Sequence, residues 1–189
     1  IGGLVGQNTT NSATVENSYS TGSVTGNLAV GGLVGYNFSS GTVSNSYSTG
    51  SVTAVQYVGG LVGYNYISKV INSYSTSNVE GTGFWVGGLV GVNSFSENGL
   101  YEVVYSFWDT QTSGQTTSSG GTGKTTEEMK TKSTFTNAYW NFDFIWDIST
   151  DYPVIDIDTT YRPSDTDADG YLNISTLTDL RWLSESGFD

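Results

Sequence analysis

Three acidic residues at alternate positions followed by a glycine, Asp165, Asp167, Asp169 and Gly170, are the sharpest chemical signal in the chain. Carboxylates spaced in this way, with glycine making the tight turn, can wrap a hard cation, as in the first half of a calcium loop. Tyr171 would add a backbone carbonyl and Asn173 would stand at the ninth position. The twelfth position is Thr176 rather than a carboxylate, so Asp179, one helical turn further on, is the substitute ligand. Asp165, Asp167, Asp169, Tyr171, Asn173 and Asp179 therefore form the candidate calcium site. Thr176 and Asp179 also form a capping box. Leu177, Leu180 and Leu183 give the helix expected after it a narrow apolar stripe.

Other chemistries are restricted. The 189 residues contain no His and no Cys, which removes the commonest general base, thiol catalysis, disulfides and the usual soft-metal ligands. Asp156 and Asp158 share a strand face without a basic partner, and the acids of the first hundred residues are scattered, so an enzyme is not expected. The string SSGGTGKT has the ending of a phosphate-binding loop, but Ser118 stands where its first Gly is required. Residues 111–124 are therefore expected as a flexible, polar surface loop. The net charge of −12 argues against nucleic acid and anionic membranes. It is uneven: residues 1–100 carry −2 and residues 101–189 carry −10. No run of 18 apolar residues suggests a membrane span.

The elements that would carry these groups follow from an internal repeat. GGLVG begins at Gly2, Gly31, Gly59 and Gly87, each copy followed by an Asn: Asn8, Asn37, Asn65 and Asn93. NSYS begins at Asn17, Asn45 and Asn72, and YSFWD is a fourth, altered copy. A fixed period of about 28 residues marks a solenoid. Short segments rich in Val, Tyr, Thr and Ser, broken by Gly, point to strands. The expected fold is an all-β parallel solenoid of about four coils, each with about three sides. Leu4, Leu33, Leu61 and Leu89 are expected to form an internal ladder. The aromatic series Tyr19, Tyr47, Tyr74 and Phe107 is expected to form a second internal stack, with Ser20 and its equivalents facing outward. Asn8, Asn37, Asn65 and Asn93 are expected to stack at a corner, where Asn tolerates left-handed backbone and amides can bond between levels.

GGLVG at this spacing, with NSYSTGSV between copies, resembles the GLUG-motif repeat family of bacterial surface and secreted proteins. The resemblance extends through YSFWDTQTSGQTTSSGGTGK to about residue 150. It implies a β-solenoid with no catalysis of its own, an extracellular or cell-surface location and an adhesin-like role. Such repeats also stand beside the protease unit of IgA-specific metallopeptidases. Their zinc motif needs two His, so that activity is not carried over.

Three parts are expected: a solenoid over 1–110, a closing segment over 111–160, and an acidic tail over 161–189. Thr125 and Glu128 form a capping box for a short helix reaching about Lys132. The aromatic run from Phe135 to Trp146 is expected to cap the open solenoid end, with sugar stacking as its alternative. YPVIDI at 152–157 reads as one further strand. The leading functional expectation is a non-catalytic structural or adhesive module whose tail orders on calcium. The chain opens in mid-repeat, and YLNISTLTDLRWLSE resembles the entry to another module. The chain is thus expected either to be a piece of a longer array or to stack end to end into filaments. Expected partners are neighbouring modules, a second copy, or a glycan or host-surface ligand. The hydroxyl row Thr21, Thr49 and Thr76 leaves ice or glycan binding as a further class.

Overall fold

The computed structural model describes residues 1–9, 12–94, 102–149 and 151–156. It is a parallel β-solenoid in which each turn is built from five short strands rather than three longer sides. The first sheet stacks Val5–Asn8, Val34–Phe38, Val62–Tyr66 and Val90–Ser94. The second stacks Thr14–Glu16, Thr42–Ser44, Lys69–Ile71 and Val103–Val104, and the third Tyr19–Ser20, Tyr47–Ser48, Tyr74–Ser75, Phe107–Asp109 and Thr122–Lys124. The fourth and fifth have three strands each, around Val24, Val52 and Val79 and around Val30, Val58 and Val86. The solenoid therefore makes about three full turns with parts of a fourth, slightly fewer than expected. Register is strict: Val15, Val43, Val70 and Val103 stack on one another, as do Tyr19, Tyr47, Tyr74 and Phe107.

Five facets arise because the chain turns a corner every few residues, and several corners use left-handed backbone. Asn17, Asn45 and Asn72, which open the NSYS strings, have φ of 47°, 45° and 47°, and Tyr105 takes that place in the fourth coil at 50°. Asn accepts this region more readily than most residues. The Asn residues in left-handed backbone are thus those of NSYS, not those that follow GGLVG.

The GGLVG string makes a second kind of corner. The amides of Leu33 and Val34 both donate to the Leu61 carbonyl, and those of Leu61 and Val62 both donate to the Leu89 carbonyl. Two amides converging on one acceptor bend the strand, so Leu and Val, though adjacent, both face the core. Leu33, Leu61, Leu89, Val34, Val62 and Val90 are fully buried beside Val15, Val43 and Val70. Burying each such side chain contributes about 1.5–3 kcal/mol of transfer free energy. Leu4 departs from the expected ladder. It is 54% exposed, because no coil stacks on the outer side of the first turn in the described structure.

NSYS also turns the opposite way from expectation. The second Ser points inward: Ser20, Ser48 and Ser75 are buried, and Ser48 Oγ donates to the Gly60 carbonyl at 2.6 Å. The Tyr between them turns outward. The second Gly of GGLVG explains this choice, because a Cβ on Gly60 would collide with the Gly88 carbonyl oxygen and with Ser75 Oγ. In the inner coils a small hydroxyl lies opposite this glycine. In the last coil Trp108 replaces that Ser and lies over Gly88, joining the Leu–Val core.

The stretch expected as a flexible surface loop instead closes the solenoid. Among the described residues no full coil follows Leu89 and Val90, and both amides donate to Ser118 Oγ, at 3.2 and 2.9 Å, which takes the place of the Leu carbonyl of a next coil. Gly88 N donates to the Thr117 carbonyl, Ser119 N donates to the Val90 carbonyl, and Thr122–Lys124 extends the third sheet. Ser118, the residue that breaks the phosphate-loop pattern, thus satisfies an edge that would otherwise be open.

The aromatic segment does not cover the end of the core. It lies along the side of the coils, over the outward Tyr column, through three short helices and an antiparallel pair of Trp146–Asp147 with Val154–Ile155. The helices are α1 (Thr110–Ser113), α2 (Thr126–Met129) and α3 (Lys132–Thr136). Thr125 and Glu128 form the capping box of α2, and a turn separates α2 from α3 before Lys132. Met129, Phe135, Trp140 and Trp146 pack on Tyr47, Tyr74 and Phe107. The Trp146 ring centroid is 6.2 Å from that of Tyr47 and 6.1 Å from that of Tyr74.

Gly60→Ala and Gly22→Ala separate close approach from mere flexibility. Nothing lies within 4 Å of a Cβ on Gly22, whereas Gly60 has backbone and Ser75 against it. Gly60→Ala should lose about 3 kcal/mol of unfolding free energy in urea titrations, while Gly22→Ala stays within about 0.5 kcal/mol or gains. Equal effects would refute the packing account.

Candidate functional site

Three polar or aromatic systems are organised by the coils. The first is the Asn column. Asn8 Nδ2 donates to Asn37 Oδ1 at 2.9 Å, Asn37 Nδ2 to Asn65 Oδ1 at 2.8 Å, and Asn65 Nδ2 to Asn93 Oδ1 at 2.8 Å. Each amide also donates to a backbone carbonyl: Asn8 to Ala13 and Asn65 to Ser68 in their own coils, and Asn37 to Lys69 in the next coil. Asn37 and Asn65 are fully buried. A buried primary amide is stable only when both its ends are bonded, and stacking at the strand spacing does this. A serine column runs through the corner between the second and third sheets. Ser46 N donates to Ser73 Oγ and Ser73 N to Ser106 Oγ, both at 3.2 Å, while each hydroxyl donates to a carbonyl two residues earlier in its own coil.

The second system centres on Asp109, which is fully buried. Its Oδ1 accepts from the amides of Gln111 and Thr112 at 2.8 and 3.1 Å, capping α1. Its Oδ2 accepts from Thr126 Oγ1 and from the Tyr152 hydroxyl, each at 2.7 Å. One carboxylate thus ties the last solenoid strand to α1, α2 and the aromatic cover. Burial pushes this carboxyl up, but the hydrogen bonds from Tyr152, Thr126, Thr112 and Gln111 outweigh it and hold it below the ordinary value of 3.8. Both carboxylate oxygens of Asp109 are thus engaged in holding structure. The Tyr74 hydroxyl, held well above its usual range chiefly by burial, donates to the Pro153 carbonyl at 2.6 Å.

The third system is an aromatic surface on the first and fifth sheets. Tyr36 stacks on Tyr64 with centroids 5.2 Å apart, and Phe38 on Tyr66 at 4.9 Å. Tyr57 meets Tyr64 edge-on at 5.4 Å and Trp85 at 5.1 Å, and Phe84 meets Trp85 at 5.8 Å. Phe84 is 72% and Trp85 53% exposed. The sequence carries a signal for part of it, since VGYNF and VGYNY put aromatics two residues apart in consecutive coils. The joining of Tyr57 and Trp85 to these columns appears only in the fold.

Of the residues singled out from the sequence, the Asn series is brought together in one column. Tyr47, Tyr74 and Phe107 form a column that is buried outside the coil interior, beneath the aromatic segment. Tyr19 extends that column, stacked 5.1 Å from Tyr47, but is 55% exposed because the segment does not reach it. Asp165, Asp167, Asp169, Tyr171, Asn173 and Asp179 lie outside the described residues. Among the described residues no group of three or more acidic side chains is placed to hold a metal.

Fold and site together define a repeat module of the parallel β-solenoid class, stabilised by like-on-like columns. The model of the GLUG-motif family matches the chain three times, at residues 1–25, 26–53 and 54–80. A Gly-rich membrane protein of Evansella cellulosilytica is 46% identical over 68 residues, which is 34% of this chain and 8% of that protein. The chain therefore matches only a small part of that relative's length. No solved structure matches the chain.

Asp109→Ala should lower stability by about 3 kcal/mol, because it uncaps α1 and strands two buried hydroxyls. A carboxyl held below its unfolded value contributes stability that is complete above that value and is lost as pH falls through the folded one. The wild-type advantage over Asp109→Asn in urea titrations should therefore shrink as pH falls below about 3.8. A constant difference from pH 7 to pH 2 would remove Asp109 from this role.

Proposed function

We propose that the chain is a non-catalytic structural and adhesive module displayed outside a bacterial cell. The carrying observation is the continuity of the Asn and Ser columns through successive coils, which makes the turns a single stiff unit. The inner members, Asn37, Asn65, Ser46 and Ser73, are committed to another coil or to nearby backbone, a use of side chains suited to a spacer. The description of the Evansella cellulosilytica relative as a membrane protein supports a surface location. In the described residues no helix is long and apolar enough to cross a membrane. Beads coated with the purified chain should attach to cultured epithelial cells more than albumin-coated beads do. Equal attachment would overturn the adhesive reading.

A second reading, end-to-end assembly, draws on the outer edge of the first coil. Leu4 is exposed there, at a position whose equivalents Leu33, Leu61 and Leu89 are fully buried. Such an edge fits another coil of the same repeat, from this protein or from a second copy. The acidic loop from Asp165 is proposed to order on calcium, the hard cation suited to alternating carboxylates. Calorimetric titration should find one calcium per chain and none for Asp167→Asn. Sedimentation velocity with calcium and with EDTA should show growing species if units join end to end. A lack of heat with calcium sinks the metal assignment, and monomers in both buffers sink assembly.

A further inference from the structure

The outward Tyr column of NSYS and the aromatic surface of the GGLVG strands have different fates. The first is covered by the chain's own Trp140, Trp146 and Phe135. The second has no such cover among the described residues, and its rings contact one another instead. The fold does not require its size. Ala29, Tyr57 and Trp85 occupy the same left-handed corner in three coils, with φ of 51°, 57° and 61°. Alanine suffices there in the first of them. A bulky exposed aromatic in left-handed backbone is costlier than alanine and calls for another reason.

The third of these corners is also longer. Seven residues separate Val24 from Gly31 and Val52 from Gly59, but eight separate Val79 from Gly87. The added residue lies in Gly81–Trp85, whose backbone is pinned by Thr82 N to the Ala54 carbonyl and Gly83 N to the Val55 carbonyl. Phe84 and Trp85 thereby project from a fixed base. From Tyr66 through Tyr64 and Tyr57 to Trp85 the ring centroids step by 6.3, 5.4 and 5.1 Å, a track longer than one sugar ring. At its margins stand Gln7, paired with Tyr36, and Ser94, whose Oγ lies 3.5 Å from the Tyr64 hydroxyl. None of these side chains carries a charge at neutral pH, within a chain of net charge −12.

We propose that Tyr36, Tyr57, Tyr64, Tyr66, Phe84 and Trp85 form a binding track for a neutral polysaccharide, with Trp85 as its stacking platform. The C–H face of a pyranose ring carries slight positive charge and docks on the negative face of an aromatic ring. Its equatorial hydroxyls meet the phenols, Gln7 and Ser94 along the margins. None of the six rings, Gln7 or Ser94 carries a charge, which favours a neutral chain over an acidic glycan. This assignment rests on the adhesive reading and specifies its ligand.

The test is affinity electrophoresis of the full chain in native gels containing hydroxyethylcellulose, arabinoxylan or galactomannan, with polygalacturonate as the charged control. At least one neutral polymer should retard the protein and polygalacturonate should not. Trp85→Ala should weaken retardation at least about tenfold, and Trp85→Phe should retain most of it. Both variants should melt close to wild type, because the Trp85 side chain is largely exposed. Retardation by none of the neutral polymers overturns the proposal, as does retardation unchanged in Trp85→Ala. A concentration-dependent dimer in sedimentation that Trp85→Ala abolishes also overturns it, by giving the track to a second copy. Bead attachment that survives Trp85→Ala leaves the adhesive reading standing and removes only this one.

Discussion

Everything in this structure depends on parallel pairing between successive coils. Each strand bonds to the same stretch of chain one turn earlier and one turn later, so each side chain lies beside its own counterpart. The constraint is severe: a residue is admissible only if it tolerates a copy of itself about 4.8 Å above and below. Charges fail this test, because a column of like charges repels itself. Aliphatic side chains, amides, hydroxyls and flat rings pass it. The first hundred residues, with three Glu and one Lys, have the composition that remains once the rest are excluded.

The columns divide the work of stability. Leu and Val remove apolar surface from water, and their corner arises from two amides sharing one carbonyl. Asn and Ser satisfy polar groups that a dry interior would otherwise penalise. Glycine allows backbones to pass without intervening side chains, which is why Ser48 and Ser75 can lie against Gly60 and its neighbours. The stack must also end. At its last coil Trp108 takes the place of a small Ser, Ser118 Oγ takes the place of a carbonyl, and Asp109 fastens the closing helices. The acidic residue that looks most reactive by burial is instead the residue most fully used in joining parts.

Aromatic columns show how the same device can serve structure or be left for contact. Stacked Tyr rings on the NSYS strands are overlaid by Trp and Phe from later in the chain and become a second core. Stacked rings on the GGLVG strands remain at the surface. The difference lies in where the closing segment travels after Asp109, since both columns obey the same spacing rule.

The repeat, its period, the parallel solenoid, the Asn column and the α2 capping box were legible in the sequence, because each follows from like residues returning at a fixed interval or from a local spacing. Five facets instead of three, the outward turn of Tyr47 and Tyr74, and the inward turn of Ser48 were not. Alternation says that Tyr and Ser face opposite ways but not which way is in, and the answer came from Gly60, twelve residues further on. Nor could the sequence show that residues 117–119 complete an edge, since a polar, glycine-rich stretch reads alike as loop or closure until the unpaired amides of Leu89 and Val90 are in view. Sequence alone determined which residues stack on which, because periodicity is a one-dimensional property. Tertiary structure decided which columns are covered and which face solvent, because that depends on where distant segments come to rest.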